Sequence, residues 1–226
     1  MVKSAGIMPI LADQGGTNIC SMLVFPDFIR FQIDKTSFWS KFHTSAQRLT
    51  IVYMLTILAW SEVFVHRNEI ISIIESHSQW LKSGGKDGVR GYLQNMDLKQ
   101  FDFSRLNLSE ICLDGSNVDD CNFQWSIMER AKIRNAKVKN TDFSYAILTD
   151  ADFYLSELSY CDFRSANLSG TSFNSAILKE ANLCESNIQN TIWSNVVLEN
   201  IRINRSSFNL IPKTMVEVFS KCITIL

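Results

Sequence analysis

The sequence predicts a repeat solenoid preceded by a helical segment, and three observations predict it. Residues 91–210 divide into 24 consecutive blocks of five without insertion or deletion, and the third place of every block is Leu, Phe, Ile, Val, Met or Trp. First places in the middle of the run are small: Ala131, Ala136, Thr141, Ala146, Ala151, Ser156, Cys161 and Ala166. All three prolines, Pro9, Pro26 and Pro212, lie outside the run. A period of five matches neither a helix nor a strand, so the chain must turn at fixed intervals without the usual turn punctuation.

Blocks such as ADFYL, CDFRS, ANLSG, TDFSY and ANLCE follow the pattern A-[DN]-[LF]-x-x, and the run resembles the pentapeptide-repeat family over about half the chain. That resemblance implies an all-β solenoid, a right-handed quadrilateral β-helix with four blocks per coil and about six coils. The large third and small first residues of each block would point inward. Residues twenty apart should then stack, and the third places sort into four columns. Leu93, Leu113, Ile133, Phe153, Phe173 and Trp193 form the first; Leu98, Val118, Val138, Leu158, Leu178 and Leu198 the second. Phe103, Phe123, Phe143, Phe163, Leu183 and Ile203 form the third; Leu108, Met128, Leu148, Leu168, Ile188 and Phe208 the fourth. Four successive Phe in one column, beside a column of aliphatics alone, make the twenty-residue register visible in the residues themselves.

Both ends of such a rod need covers. First places there are large: Met96, Phe101, Leu106 and Ile111 at the start, Val196 and Ile201 at the finish. Pro212 suits the first turn of a helix, so residues 211–226, with Met215, Val216, Phe219, Ile223 and Leu226, read as a short amphipathic capping helix. Ile177, Ile192, Val197 and Phe219 form a candidate capping or dimer patch. Quinolone-resistance members of the family pair through a C-terminal helix, so the resemblance allows a homodimer there.

Residues 1–43 read as an irregular segment and 44–90 as a helical region. Within the latter, 49–65 is a 17-residue run whose single charge is Glu62. A helix apolar almost all round must be buried in protein or lipid. At about 26 Å it reaches only the short limit of a membrane span. Membrane attachment and capping of the rod both remain open, and localisation is expected at a membrane or in the cytoplasm. HRNEIISIIESHSQWL follows, with Ile70, Ile73, Ile74 and Leu81 on one stripe, and Ser83-Gly84-Gly85 stops the helix. The stretch from Gly84 to Phe103 resembles the entry segment of bacterial pentapeptide proteins that carry an N-terminal membrane helix.

Composition excludes several classes. The net charge of -1, with 20% charged residues, argues against a disordered acidic tail and against a nucleic-acid coat. None of the six cysteines forms a CxxC pair, the three histidines lack ligand-like partners, and no phosphate-binding glycine motif is present. No catalytic, metal or cofactor site is expected. Asp97, Asp102, Asp142, Asp152 and Asp162 all occupy second places, where the family motif puts Asp or Asn structurally. The column Asp102, Asn122, Asp142, Asp162, Asn182 reads as a hydrogen-bonded ladder.

The candidate partner-binding residues are Trp125, Tyr145 and Arg105 in one outward fifth-place column, and the basic belt Arg130, Lys132, Arg134, Lys137 and Lys139. The register places an acid one coil from each base: Glu110 and Asp150 by Arg130, Asp152 by Lys132, Asp114 by Arg134, Glu157 by Lys137, Asp119 by Lys139. Successive coils carry formal charges of -1, -3, +2, -2, -1 and +1, a total of -4. The belt therefore reads as a self-neutralised ladder rather than a nucleic-acid site, and the exposed stacked aromatics are better partner candidates. The expected function is a non-enzymatic scaffold or protein-interaction module, bacterial in its resemblances. A DNA-mimicking topoisomerase binder and a secreted bacterial effector are the alternatives, and the partner itself is unknown.

Overall fold

A computed structural model of the chain describes residues 19–24, 29–34, 66–213, 215–216 and 223–225. The chain divides into two compact units, Met1–Glu69 and Ile70–Leu226. In the first unit, β1 (Ile19–Val24) pairs antiparallel with β2 (Ile29–Asp34), in register from Ile19↔Asp34 to Val24↔Ile29. The segment expected to be irregular thus contains a two-stranded sheet. ICSMLV and IRFQID are rich in Ile, Val, Leu and Phe, which fit a pleated surface. The apolar run 49–65 lies outside the described residues. Among the described residues no helix is long and apolar enough to cross a membrane.

A helix, α1, is described over 66–82. It ends where the sequence predicts: Gly84 sits at φ 64°, Gly85 N–H donates to the Trp80 carbonyl, and Ser83 N–H donates to Gln79. The chain then folds back beneath the helix. Gly88, at φ 77°, is required there, because a Cβ would lie 2.3 Å from the Ser76 carbonyl oxygen. From Ile70 on, α1 belongs to the second unit, where Ile70 is buried in the main core and Ile73 and Ile74 pack against it.

The rest of that unit is a coil that repeats every twenty residues. Parallel bridges join second places one coil apart, in four columns, beginning with Tyr92↔Cys112, Asp97↔Asn117, Asp102↔Asn122 and Asn107↔Ile127. Near the far end, short strands β3 (Ile177–Lys179) and β4 (Val197–Glu199) continue the second column. Third-place residues fill the interior; all those from Leu93 to Ile188 are at most 1% exposed. In the third column Phe103, Phe123, Phe143 and Phe163 stack at centroid distances of 4.8, 5.0 and 5.1 Å. In the first, Phe153, Phe173 and Trp193 stack at 5.5 and 4.8 Å. Each buried third-place side chain contributes roughly 1.5–3 kcal/mol of transfer free energy before entropy is counted.

The backbone explains the motif. Most first-place N–H groups donate to the third-place carbonyl three residues earlier, closing a turn, as in Ser116→Leu113 and Ala131→Met128, whereas Met96 and Ala136 donate to the Ser116 and Ser156 hydroxyls of the next coil. Every fifth place from Asn95 to Asn200 has φ between 53° and 71°. A left-handed residue at the third position of a four-residue turn is the type II arrangement. Only Gly115 and Gly170 among these places are glycine. A non-glycine residue there costs roughly 1–2 kcal/mol. Offsetting it, fifth-place N–H groups donate to the fourth-place carbonyl of the next coil at 2.7–3.2 Å, as Asn95 does to Asp114. Third-place and second-place N–H groups pair with the next and previous coils. The fourth-place N–H remains, and second-place Asp or Asn accepts from it: Ser104→Asp102, Ser144→Asp142 and Arg164→Asp162, each at 2.8–3.0 Å. The predicted Asp/Asn column is thus chiefly a set of local caps rather than a coil-to-coil ladder.

The C-terminal end differs from expectation in two ways. The repeat departs at Asn204, which caps a short helix, α2 (Arg205–Phe208), by accepting from Ser207 N–H. Phe208, assigned to the fourth column, is therefore helical and only partly buried. The tail is not one capping helix over 211–226. Ile223–Ile225 forms β6, parallel to β5 (Ile201–Ile203), with Arg202 opposite Thr224. The last edge of the third column needs hydrogen-bond partners, and the β-branched run Ile-Thr-Ile supplies them as a strand. Ile211 is buried, and Met215 and Val216 pack against the core.

Candidate interaction surfaces

Trp125 and Tyr145 both occupy left-handed corners, at φ 60°. Their rings stack at a centroid distance of 4.2 Å and an interplanar angle of 1°, with 52% and 47% of each residue exposed. The structure thus brings together two of the three aromatic-column candidates. Arg105 lies one coil earlier at the same corner, exposed, and its side chain makes no ring contact or ion pair among the described residues.

The basic belt divides into paired and unpaired members. Arg130 Nη2 meets Glu110 at 3.3 Å, and Arg134 Nη2 meets Asp114 at 2.5 Å, both as the register predicts. Lys139 Nζ turns instead to Glu157, at 2.8 Å. Asp119, its expected partner, accepts from the Lys139 backbone N–H at 2.8 Å. With Glu157 engaged, Lys137 makes no ion pair among the described residues, and neither does Lys132, although both are exposed. Asp152, expected beside Lys132, accepts from the Tyr154 N–H.

Two carboxylates expected only as ion-pair partners also have a backbone role. Blocks AKIRN and AKVKN place Lys132 and Lys137 where an Asp or Asn would cap the fourth-place amide. Asp114 and Asp119, fourth-place residues one coil earlier, accept from the Arg134 and Lys139 amides instead. Burial would raise the Asp114 pKa, but the hydrogen bonds and charge of Arg134 outweigh it and hold the carboxyl below its ordinary value. The fifth places share a left-handed backbone that the expected motif did not include. Their signal was present in Asn95, Asn135, Asn140, Asn190, Asn195 and Asn200, since Asn tolerates the left-handed region.

Of the candidate capping or dimer patch, Ile192 and Val197 are each 48% exposed, and Ile177 is half-buried. They lie on two adjoining faces around the Asn195 corner; β6 covers a different column. Phe219 lies outside the described residues.

Other polar side chains serve the frame. Ser116, Thr141, Ser156 and Thr171, all first-place residues, donate to the third-place carbonyl of the coil before. Cys121 and Cys161 do the same through Sγ. Burial pushes both thiols up, Cys121 to about 12. No group of His, Cys, Asp and Glu arranged to hold a metal ion occurs among the described residues.

A family model described as pentapeptide repeats matches the chain in eight copies, over residues 107–144, 126–164 and 139–174. No curated protein sequence matches. Similar solved structures include the pentapeptide repeat protein Rfr23 from the cyanobacterium Cyanothece 51142, at 20% identity, covering 47% of this chain and 82% of that one, with a TM-score of 0.30. A pentapeptide repeat protein of the Arabidopsis thaliana thylakoid lumen matches at 25% identity, 49% of this chain, 66% of that one and a TM-score of 0.24. QnrB1, a plasmid-mediated fluoroquinolone resistance protein, matches at 20% identity, 50% of this chain, 67% of that one and a TM-score of 0.41.

Proposed function

Because this chain is a pentapeptide-repeat protein, with a filled interior and its polar groups largely committed to its own backbone, we propose that it is a non-enzymatic scaffold acting through protein contacts on the outside of a right-handed coil of about six turns. The observation that carries this is the Trp125–Tyr145 stack: two large rings, each about half exposed, held rigidly at neighbouring corners. Exposed aromatics on a rigid frame bury much area on binding at little entropic cost, which makes them favoured anchors. The test is the full chain carrying a photo-crosslinking phenylalanine analogue at position 145, or at Gln189 on the adjoining face, in its native cell. Protein adducts from position 145 that disappear with Trp125→Ser support the proposal. An absence of adducts at both positions overturns it.

Charge favours this scaffold over a mimic of duplex DNA. A mimic needs a continuous negative surface, whereas the third coil is +2 and presents Lys132 and Lys137, which make no ion pair among the described residues. The apolar run 49–65 supports attachment of the scaffold to a membrane. Fractionation of the full chain against one starting at Ser83 tests that part; an unchanged distribution removes it.

A further inference from the structure

Between α1 and the first coil lies a cleft of about 330 Å³, lined by Ser72, Ile73, Ser76, Val89, Arg90 and Tyr92. Arg90 dominates it. Its Nε donates to the Glu110 carbonyl at 2.6 Å, and the guanidinium carbon stands 5.9 Å from the centroid of the Tyr92 ring. These contacts orient the head but leave Nη1 and Nη2 unused, and Arg90 makes no ion pair among the described residues. Glu110 does not neutralise it, since that carboxylate is engaged by Arg130. The Ser76 hydroxyl oxygen accepts from Val89 N–H at 3.0 Å, so its own proton is available. Ser72 and Tyr92 add two more hydroxyls.

The lining is therefore rich in donors, has one cation and contains no carboxylate, while Ile73, Val89 and the Tyr92 ring give it apolar walls. We infer that this cleft binds a carboxylate carried on an apolar body. The planar guanidinium offers two parallel N–H groups, the geometry a carboxylate accepts in bidentate fashion. The volume lies at the lower end of ligand pockets, roughly 300–1,000 Å³. A phosphate dianion is a poorer occupant, because one cation and apolar walls leave its second charge uncompensated.

The test is a titration of the isotope-labelled full chain, followed by amide chemical shifts, with octanoate and with N-acetyl-leucylleucine as probes. Octanol and inorganic phosphate are the comparisons. Saturable shifts confined to residues 72–92 are expected with one or both carboxylates, and the tighter probe tells a free acid from a peptide terminus. Arg90→Gln should weaken binding about tenfold or more, the scale of a charge-assisted pair. Arg90 also anchors the backbone, so Ser72→Asp is the second variant. It places a like charge in the cleft from an exposed helix position and should weaken binding similarly with an unchanged melting temperature. The inference is overturned if neither carboxylate saturates, if both variants bind as the parent does, or if octanol or phosphate binds as tightly as octanoate.

Discussion

Arg134 is held by Asp114 through two kinds of bond. Its backbone N–H donates to Oδ1 at 3.0 Å, and its guanidinium Nε donates to Oδ2 at 3.1 Å. The carboxylate belongs to the preceding coil, so one side chain both caps a turn amide and ties two coils together. Asp114→Ala removes both bonds and is expected to destabilise the rod by about 1–3 kcal/mol, read from urea unfolding. Asp114→Asn keeps an acceptor for the amide and should cost about 0–1 kcal/mol. Adding Lys132→Asp to Asp114→Ala restores a local cap, so the double variant should recover part of the loss. Its failure to do so would contradict the capping role.

The same pair predicts an acid dependence. The folded-state pKa of Asp114 lies below its ordinary value, so the unfolded state binds a proton first as pH falls. The contribution is fully present above the ordinary carboxylate pKa and is lost as pH falls toward the depressed one. Stability measured from pH 5 down to pH 2.5 should fall less steeply in Asp114→Asn than in the parent chain.

His77 makes a second, separate pH-dependent contact. It is fully buried, and its Nδ1 accepts from Gly91 N–H at 3.0 Å, joining α1 to the first block of the coil. Burial pushes its pKa down, the Ser109 carbonyl and Glu110 oppose that, and Arg90 adds to it. The contact is complete above the ordinary imidazole pKa, near 6.5, and weakens as pH falls through the depressed value. Hydrogen exchange at the Gly91 amide, corrected for its intrinsic rate, should accelerate between pH 7.5 and pH 5. In His77→Asn, which can still accept from that amide, the acceleration should vanish.

Leu155 sits at a corner with φ 58° and is 50% exposed. Leucine gains little there from packing and carries left-handed strain. Leu155→Gly should raise stability by about 0.5–1 kcal/mol after glycine's own entropy cost. Leu155→Val, branched at Cβ, should lower it. Thermal unfolding of the two variants gives the sign of each.

Cys121 and Cys161 are buried, hydrogen-bonded and far from thiolate formation at neutral pH. Both should resist iodoacetamide in the folded chain and react only on unfolding, while the half-buried Cys184 reacts faster. Mass-resolved labelling at pH 8 distinguishes the three sites.

The columns of the interior could be read directly because hydrophobic identity repeats in sequence whenever position repeats in space. Phe103 to Phe163 is visible as a stack before any coordinates are known. The sites were less accessible. The Trp125–Tyr145 stack followed from spacing alone, but the partners of the belt did not. Lys139 reaches diagonally to Glu157 rather than across to Asp119, since Asp119 is already engaged by a backbone amide. Register specifies which coil a residue occupies, and a long flexible side chain can choose among several acids within that distance.

By itself the sequence determined the period, the four columns up to the departure of the repeat at Asn204, the buried third-place residues within them and the end of α1. Each depends on local spacing or composition. Tertiary structure decided where the repeat yields to α2, that Ile223–Ile225 becomes a strand against β5, and that Asp114 and Asp119 cap amides twenty residues away. It also created the Arg90 cleft, whose lining comes from both α1 and the segment from Val89 to Tyr92 that enters the coil. The physical reason is common to all of these. Backbone groups left over at a coil's edge or corner must find partners, and which side chain or strand supplies them depends on what lies across a gap in space that spacing along the chain does not describe.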